Sequence, residues 1–150
     1  THIRLVNNAR TFTKFAVMSL QRFSSAVAEW RISGSGFEAT GCWGCGFFFS
    51  DGNWIELNCY DHAWNLRVTK CVGGNTSDVW TSAKGSYNSG VIRIVKQGAS
   101  FNFYHNNNLL FSASEDSFGG DAQVYCMIFK NYNDDKFNYV DLDYVRVTPS

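Results

Sequence analysis

The chain has 150 residues, 45% of them hydrophobic and 17% charged, with 13 basic residues balanced by 13 acidic ones. That length and apolar content suit one globular domain with a sizeable core and exclude a disordered chain. The charge balance removes the electrostatic case for nucleic acid or an anionic membrane surface, and no apolar run approaches the length needed to span a bilayer.

Period-two alternation dominates from the first residues onward. The predicted strands are His2–Val6, Phe12–Leu20, Ala26–Ser33, Gly44–Ser50, Trp54–Tyr60, Trp64–Val72, Val91–Lys96, Phe101–His105, Leu109–Ala113, Ala122–Lys130 and Phe137–Thr148. Turn-rich pieces separate them, among them Ser33–Gly36, Asp51–Asn53, Val72–Asn75, Phe118–Asp121 and Asn131–Asp135. Only Ser19–Glu29, with its Ala and Gln content, offers a helix as a rival to strand. Residues 91–111 read as a three-strand meander whose turns, Gln97-Gly98-Ala99 and Asn106-Asn107-Asn108, supply residues that tolerate positive φ. Many short strands with regular turn signals predict an all-β, two-sheet antiparallel sandwich. No linker or repeat divides the chain, so residues 1–150 are expected to form a single domain.

Strand alternation also assigns faces. In the Trp54–Tyr60 strand, Ile55, Leu57 and Cys59 share one face, and Trp54, Glu56, Asn58 and Tyr60 share the other. In the following strand Leu66 and Val68 oppose Asn65, Arg67 and Thr69. A register that pairs Asn58 with Arg67 keeps both apolar sets on one side. It gathers Glu56, Asn58, Tyr60, Arg67 and Thr69 into a polar patch edged with aromatic rings. Trp30, alternating with Ala28 and Ile32, reads as core, as do Phe101 and Phe103. The chain carries 13 Phe, 7 Tyr and 5 Trp, more rings than one small core needs, which leaves Trp and Tyr available for a half-wet binding surface. Trp43, Trp64 and Tyr125 are candidates to border the patch.

The five cysteines, Cys42, Cys45, Cys59, Cys71 and Cys126, leave one over if the rest pair. Cys42-Trp-Gly-Cys45 has the spacing of a redox motif but lies in a strand and glycine context, without the helix N-terminus that would lower a thiol pKa. Buried or disulfide-paired cysteines are expected, with Cys126 buried and unpaired. His2, His62 and His105 are scattered. Oxygen ligands for calcium are sought in loops, and Asp134 and Asp135 are the candidates, with Asp116 and Asp121 as alternatives.

A wider pattern runs through these segments. Gly44-Cys-Gly-Phe-Phe-Phe49 precedes an Asp51-Gly-Asn53 turn and a Trp-Ile-Glu-Leu strand. Val-Ile-Arg-Ile-Val-Lys-Gln-Gly98 then leads to Phe-Asn-Phe-Tyr-His105, and Val140-Asp-Leu-Asp-Tyr-Val-Arg-Val147 closes the series. Over roughly residues 12–148 this resembles the concanavalin A-like lectin/glucanase superfamily, near its laminin-G-like jelly rolls. One departure is the Asn106-Asn-Asn108 turn in place of Asn-Gly.

The resemblance implies a jelly roll and a carbohydrate partner, in a lectin or an accessory module of a larger extracellular or cell-surface protein. It also implies neighbouring domains of the same chain as possible partners. The glucanase branch carries Glu-x-Asp-x-x-Glu on one strand. Here the nearest match is Glu56-Leu-Asn58-Cys-Tyr-Asp61, where an amide replaces the middle acid. Non-catalytic carbohydrate binding by Trp43, Trp54, Glu56, Asn58, Tyr60, Trp64, Arg67 and Tyr125 is therefore expected, with no cofactor required and calcium as a candidate ligand. The alternatives are a glycoside hydrolase using Glu56 or Asp141 and Asp143, and a structural or protein-interaction sandwich.

Overall fold

A computed structural model describes residues 3–7, 13–37, 41–60, 65–85, 87, 89–130 and 138–150. Twelve strands account for most of them: β1 Ile3–Asn7, β2 Thr13–Phe23, β3 Ser25–Phe37, β4 Gly41–Ser50, β5 Asn53–Tyr60, β6 Asn65–Val72, β7 Asn75–Thr81, β8 Gly90–Gln97, β9 Ser100–His105, β10 Asn108–Ser114, β11 Ala122–Lys130 and β12 Asn138–Pro149. They form two six-stranded sheets, ordered β1-β12-β3-β8-β9-β10 and β2-β11-β4-β5-β6-β7. Every paired neighbour is antiparallel. The architecture is the expected all-β jelly-roll sandwich. One turn of 3-10 helix, Asp116–Phe118, is the only helical element among the described residues.

The period-two pattern sets the core. From the first sheet, Ala26, Ala28, Trp30 and Ile32 of β3, Ile92 and Ile94 of β8, and Phe101 and Phe103 of β9 turn inward. Trp43, Cys45 and Phe47 of β4, Ile55, Leu57 and Cys59 of β5, and Leu66 and Val68 of β6 meet them from the second. Rings lock one end of this layer. Phe49 stacks on Phe118 at 4.6 Å between centroids, and Phe101 meets Phe118 edge-on at 6.2 Å. The indole nitrogens of Trp30 and Trp43 are buried without a hydrogen-bond partner, so both side chains serve as apolar volume despite their polar atom.

The structure decides for strand over helix at one segment and adds one strand. The Ser19–Glu29 stretch forms the end of β2 and the start of β3, with a bend at Ser24. Its Ala26 and Ala28 are buried at strand spacing, continued by Trp30 and Ile32, and packing overrides the helix propensity of Ala and Gln. β7 is a strand that alternation does not announce. Its residues Asn75-Thr-Ser-Asp-Val-Trp-Thr81 are half or fully exposed and mostly polar, because it is an edge strand held by its ladder to β6. Gly73 and Gly74, at φ 56° and 85°, make the hairpin between them. The predicted β8–β9–β10 meander forms with positive φ at Gly98, Asn106 and Asn107, which asparagine tolerates better than most side chains.

Lys96, at the end of β8, is fully buried. Its ammonium donates to the Ser24 and Gly98 carbonyls, each at 2.7 Å. It lies over the rings of Phe49 and Phe101, at 5.5 and 5.7 Å. The charge thus ties the β2–β3 bend to the β8–β9 turn. Lys96→Met removes the buried ammonium's hydrogen bonds to both carbonyls and is expected to cost about 1–3 kcal/mol, read as a lowered urea midpoint at unchanged slope. Burial lowers the Lys96 pKa, so between the folded value and the ordinary lysine value of about 10.4 the unfolded chain binds the extra proton. Wild type should therefore gain stability relative to Lys96→Met as pH rises through that window. An unchanged midpoint in the variant would refute the tie.

Candidate functional site

The outer face of the second sheet holds a cleft of about 310 Å³, lined among others by Lys14, Trp54, Glu56, Asn58, Tyr60 and Arg67. Cys42, Thr69, Thr76, Asp78, Met127 and Phe129 complete its walls. Strand register explains how residues so far apart in sequence meet. Tyr125 is opposite Gly46, Gly46 opposite Glu56, Glu56 opposite Thr69, and Thr69 opposite Asp78. These five residues form one transverse row across β11, β4, β5, β6 and β7. Met127, Gly44, Asn58 and Arg67 form the adjacent row.

Glycine at the β4 step of each row makes the site possible. A Cβ on Gly46 would sit 2.1 Å from the Ile55 carbonyl oxygen and 2.8 Å from the Glu56 Cβ. One on Gly44 would sit 3.0 Å from the Glu56 carboxyl carbon and 2.8 Å from the Met127 methyl. With no side chain in between, the Tyr125 phenol crosses above Gly46 and donates a hydrogen bond to Glu56 Oε2. The Asn58 amide donates to Glu56 Oε1 at 3.1 Å and to Thr69 Oγ1 at 2.8 Å. Thr69 in turn donates to Asp78 Oδ1 at 2.6 Å. A continuous relay therefore joins Tyr125 and Glu56 to Asp78.

Cations stand at both ends. Lys14 Nζ lies 3.8 Å from Glu56 Oε2 and over the rings of Trp54 and Tyr125, at 4.7 and 5.5 Å. Arg67 pairs with Asp78 at 3.2 Å, donates to Asn65 Oδ1 at 3.3 Å and stacks over Tyr60 at 4.8 Å. Glu56 is only 2% exposed, and its charge is matched by a phenol, an amide and an ammonium, as a buried carboxylate requires. Burial, and next the Glu56 charge, push the Tyr125 phenol well above its ordinary pKa, so it remains a donor at neutral pH. The same two causes raise the Cys42 thiol.

Of the residues singled out from sequence, Trp54, Glu56, Asn58, Tyr60, Arg67 and Tyr125 come together here, with the Asn58–Arg67 pairing in the predicted register. Trp43 does not join them. It is fully buried on the core face of β4, since it sits one residue from Cys42 and Gly44 on an alternating strand and so points the other way. Trp64, Asp61, Asp134 and Asp135 lie outside the described residues. Among the described residues no group of three or more His, Cys, Asp or Glu is arranged to hold a metal ion.

Cys42 and Cys45 fall on opposite faces, Cys42 toward the cleft and Cys45 in the core, because three residues is an odd offset on a strand. Asp141 is held by Arg4 at 2.6 and 2.7 Å and Asp143 by Arg31 at 3.2 Å, on β12 of the other sheet. Neither lines the cleft. Lys14 was not foreseen because it arrives on a strand remote in sequence, and Asp78 because its strand, β7, carries no apolar alternation. The small residues at 42, 44 and 46, all on one strand face, were the available signal for a depression there.

No protein-family model matches the sequence, and no curated protein matches it at significant similarity. Solved structures do match the fold. The GH43 protein BlXynB from Bacillus licheniformis superposes with a TM-score of 0.74 at 13% identity, over 99% of this chain and 33% of that one. A Bacillus licheniformis β-glucanase gives 0.71 at 14% identity over 99% of this chain and 79% of its own length. The carbohydrate-binding module CBM66 from Bacillus subtilis gives 0.62 at 16% identity over 79% of each. The chain thus spans about a third of the first of these proteins and most of the other two. The fold shared with these structures is the two-sheet antiparallel jelly-roll sandwich.

Tyr125→Phe withdraws the phenol from Glu56 and is expected to destabilise the fold by about 1–3 kcal/mol in urea titration. Because the folded state holds the Tyr125 proton more tightly than the unfolded chain, wild type should lose this advantage as pH rises above about 10. Equal stability of the two proteins from neutral to alkaline pH would contradict the hydrogen bond.

Proposed function

We propose that the cleft on the outer face of the second sheet binds carbohydrate without cleaving it, as a lectin or as an accessory module of a larger protein that works outside the cell or at its surface. The observation that carries this reading is the fixed row of polar groups from Tyr125 through Glu56 to Asp78, flanked by two rings. Trp54 and Tyr60 are half-buried at the margins of the cleft, with Lys14 and Arg67 over one face of each, and ring surface beside a polar row suits the C–H face of a sugar. Glu56, Asn58, Thr69 and Asp78 already constrain one another. Their remaining lone pairs are fixed in direction, which is what discrimination between hydroxyl patterns requires. The names of structural neighbours, a carbohydrate-binding module, a β-glucanase and a lichenase, point to the same ligand class.

Binding is favoured over hydrolysis by how the acids are engaged. Glycoside cleavage by paired carboxyl groups needs one protonated and one ionised group flanking the bond. Among the described residues the carboxylates lining the cleft are Glu56 and Asp78. Each is already held by cationic or polar donors, and position 58 carries an amide. The hydrolytic alternative keeps one point in its favour, the glucanase activity for which two of the neighbours are named.

The test is a glycan panel followed by calorimetry on the folded chain. A polysaccharide should bind, and Trp54→Ala should weaken it about tenfold, the scale of one lost ring contact. Absence of binding across neutral and acidic glycans would overturn the proposal. Release of reducing ends that disappears in Glu56→Gln would replace it with the hydrolase.

A further inference from the structure

Cys45 and Cys126 occupy directly opposed positions on β4 and β11. Both side chains point into the core, where their sulfurs lie 3.6 Å apart and share a hydrogen bond. Opposed residues of an antiparallel pair have Cα atoms about 4.5–5.5 Å apart, inside the span of about 4.4–6.8 Å that a disulfide bridges. Cys42, by contrast, faces the cleft from the other side of the same strand.

An approach to this pair exists. β2 is the edge strand of the second sheet, and between it and β12 the sandwich opens into an apolar groove of about 220 Å³. Val17, Trp30, Val124, Leu142 and Val145 line the groove, and Cys126 forms part of its wall. Val17 and Val145 are 52% and 44% exposed, so the groove mouth is open to solvent.

We infer that Cys45 and Cys126 form a cross-strand disulfide site, oxidised through this groove by a low-molecular-weight disulfide. In the first step the Cys126 thiol gives up its proton as its sulfur attacks one sulfur of the small disulfide. An S–S bond forms on Cys126, and the other half leaves as a thiolate that takes up the Cys126 proton. Cys45, whose thiol burial holds protonated, is 3.6 Å away when the mixed disulfide forms. It loses its proton as its sulfur attacks Cys126 Sγ and expels the second small thiol, which carries that proton away. The protein gives up two hydrogens and two electrons, and the small disulfide is reduced to two thiols.

The bond would join residues 81 positions apart beneath the step where Tyr125 crosses Gly46. Cys126 directly follows Tyr125 in β11 and Cys45 directly precedes Gly46 in β4, each alternating with it across the sheet. The floor of the cleft would then be cross-linked from below.

The experiment treats the folded, reduced chain with cystamine and maps the peptides. The expected product is about 2 Da lighter, linked Cys45 to Cys126 and reversible by a reducing thiol. Closing so long a loop should raise the thermal midpoint by on the order of 10 °C. Cys42→Ala should oxidise like wild type, while Cys45→Ala should stop at a stable adduct on Cys126. Should Cys45→Ala fail to fold, the wild-type map decides alone. Persistence of both thiols after treatment, or a different linked pair, overturns the assignment.

Discussion

A strand that buries one of its faces has no freedom of register, and in this protein every other feature depends on that constraint. A slip of one residue in β5 would turn Ile55, Leu57 and Cys59 to solvent and drive Glu56, Asn58 and Tyr60 into the core. Burial of the apolar set fixes the register, and the register aligns Tyr125, Gly46, Glu56, Thr69 and Asp78 into a row. The cleft is the solvent-side consequence of packing on the opposite face. Its precision comes from the core, although no core side chain enters it.

The same molecule shows two ways of keeping charge inside a sheet protein. Lys96 is satisfied by carbonyls of two turns and by ring faces, and so links distant chain segments. Glu56 is satisfied by side chains alone, drawn from β2, β5 and β11. A charge with backbone partners supports the frame, because its donors end in turns that cannot move far. A charge whose partners are side chains on an outer face can exchange some of them for a ligand at small cost to the frame. That difference is why Glu56, and not the equally buried Lys96, belongs to the candidate site.

The strand content, the meander from β8 to β10 and the Trp54–Thr69 hairpin were legible because each rests on local alternation and on turn residues. The polar patch was legible for the same reason, since Glu56, Asn58, Arg67 and Thr69 lie on two consecutive strands. Trp43 was misplaced because a tryptophan beside glycines reads equally as a loop residue or a core residue until its strand is given a face. β7 escaped notice because an edge strand needs no apolar face, and with it went Asp78. Tyr125 was a plausible neighbour on composition, but its role depends on a glycine in a third strand.

By itself the sequence determined what is local: which segments extend, which side of each strand is apolar, and that acids, amides and rings would share the outer side of β5 and β6. Only the tertiary structure decided which strands became neighbours. That choice brought Lys14 and Tyr125 across to Glu56, set Cys45 against Cys126, and sent Asp141 and Asp143 to separate arginines on the other sheet. The physical reason is that alternation fixes the direction of a side chain. The partner it meets is set by strand order, which arises from long-range pairing that no local pattern encodes.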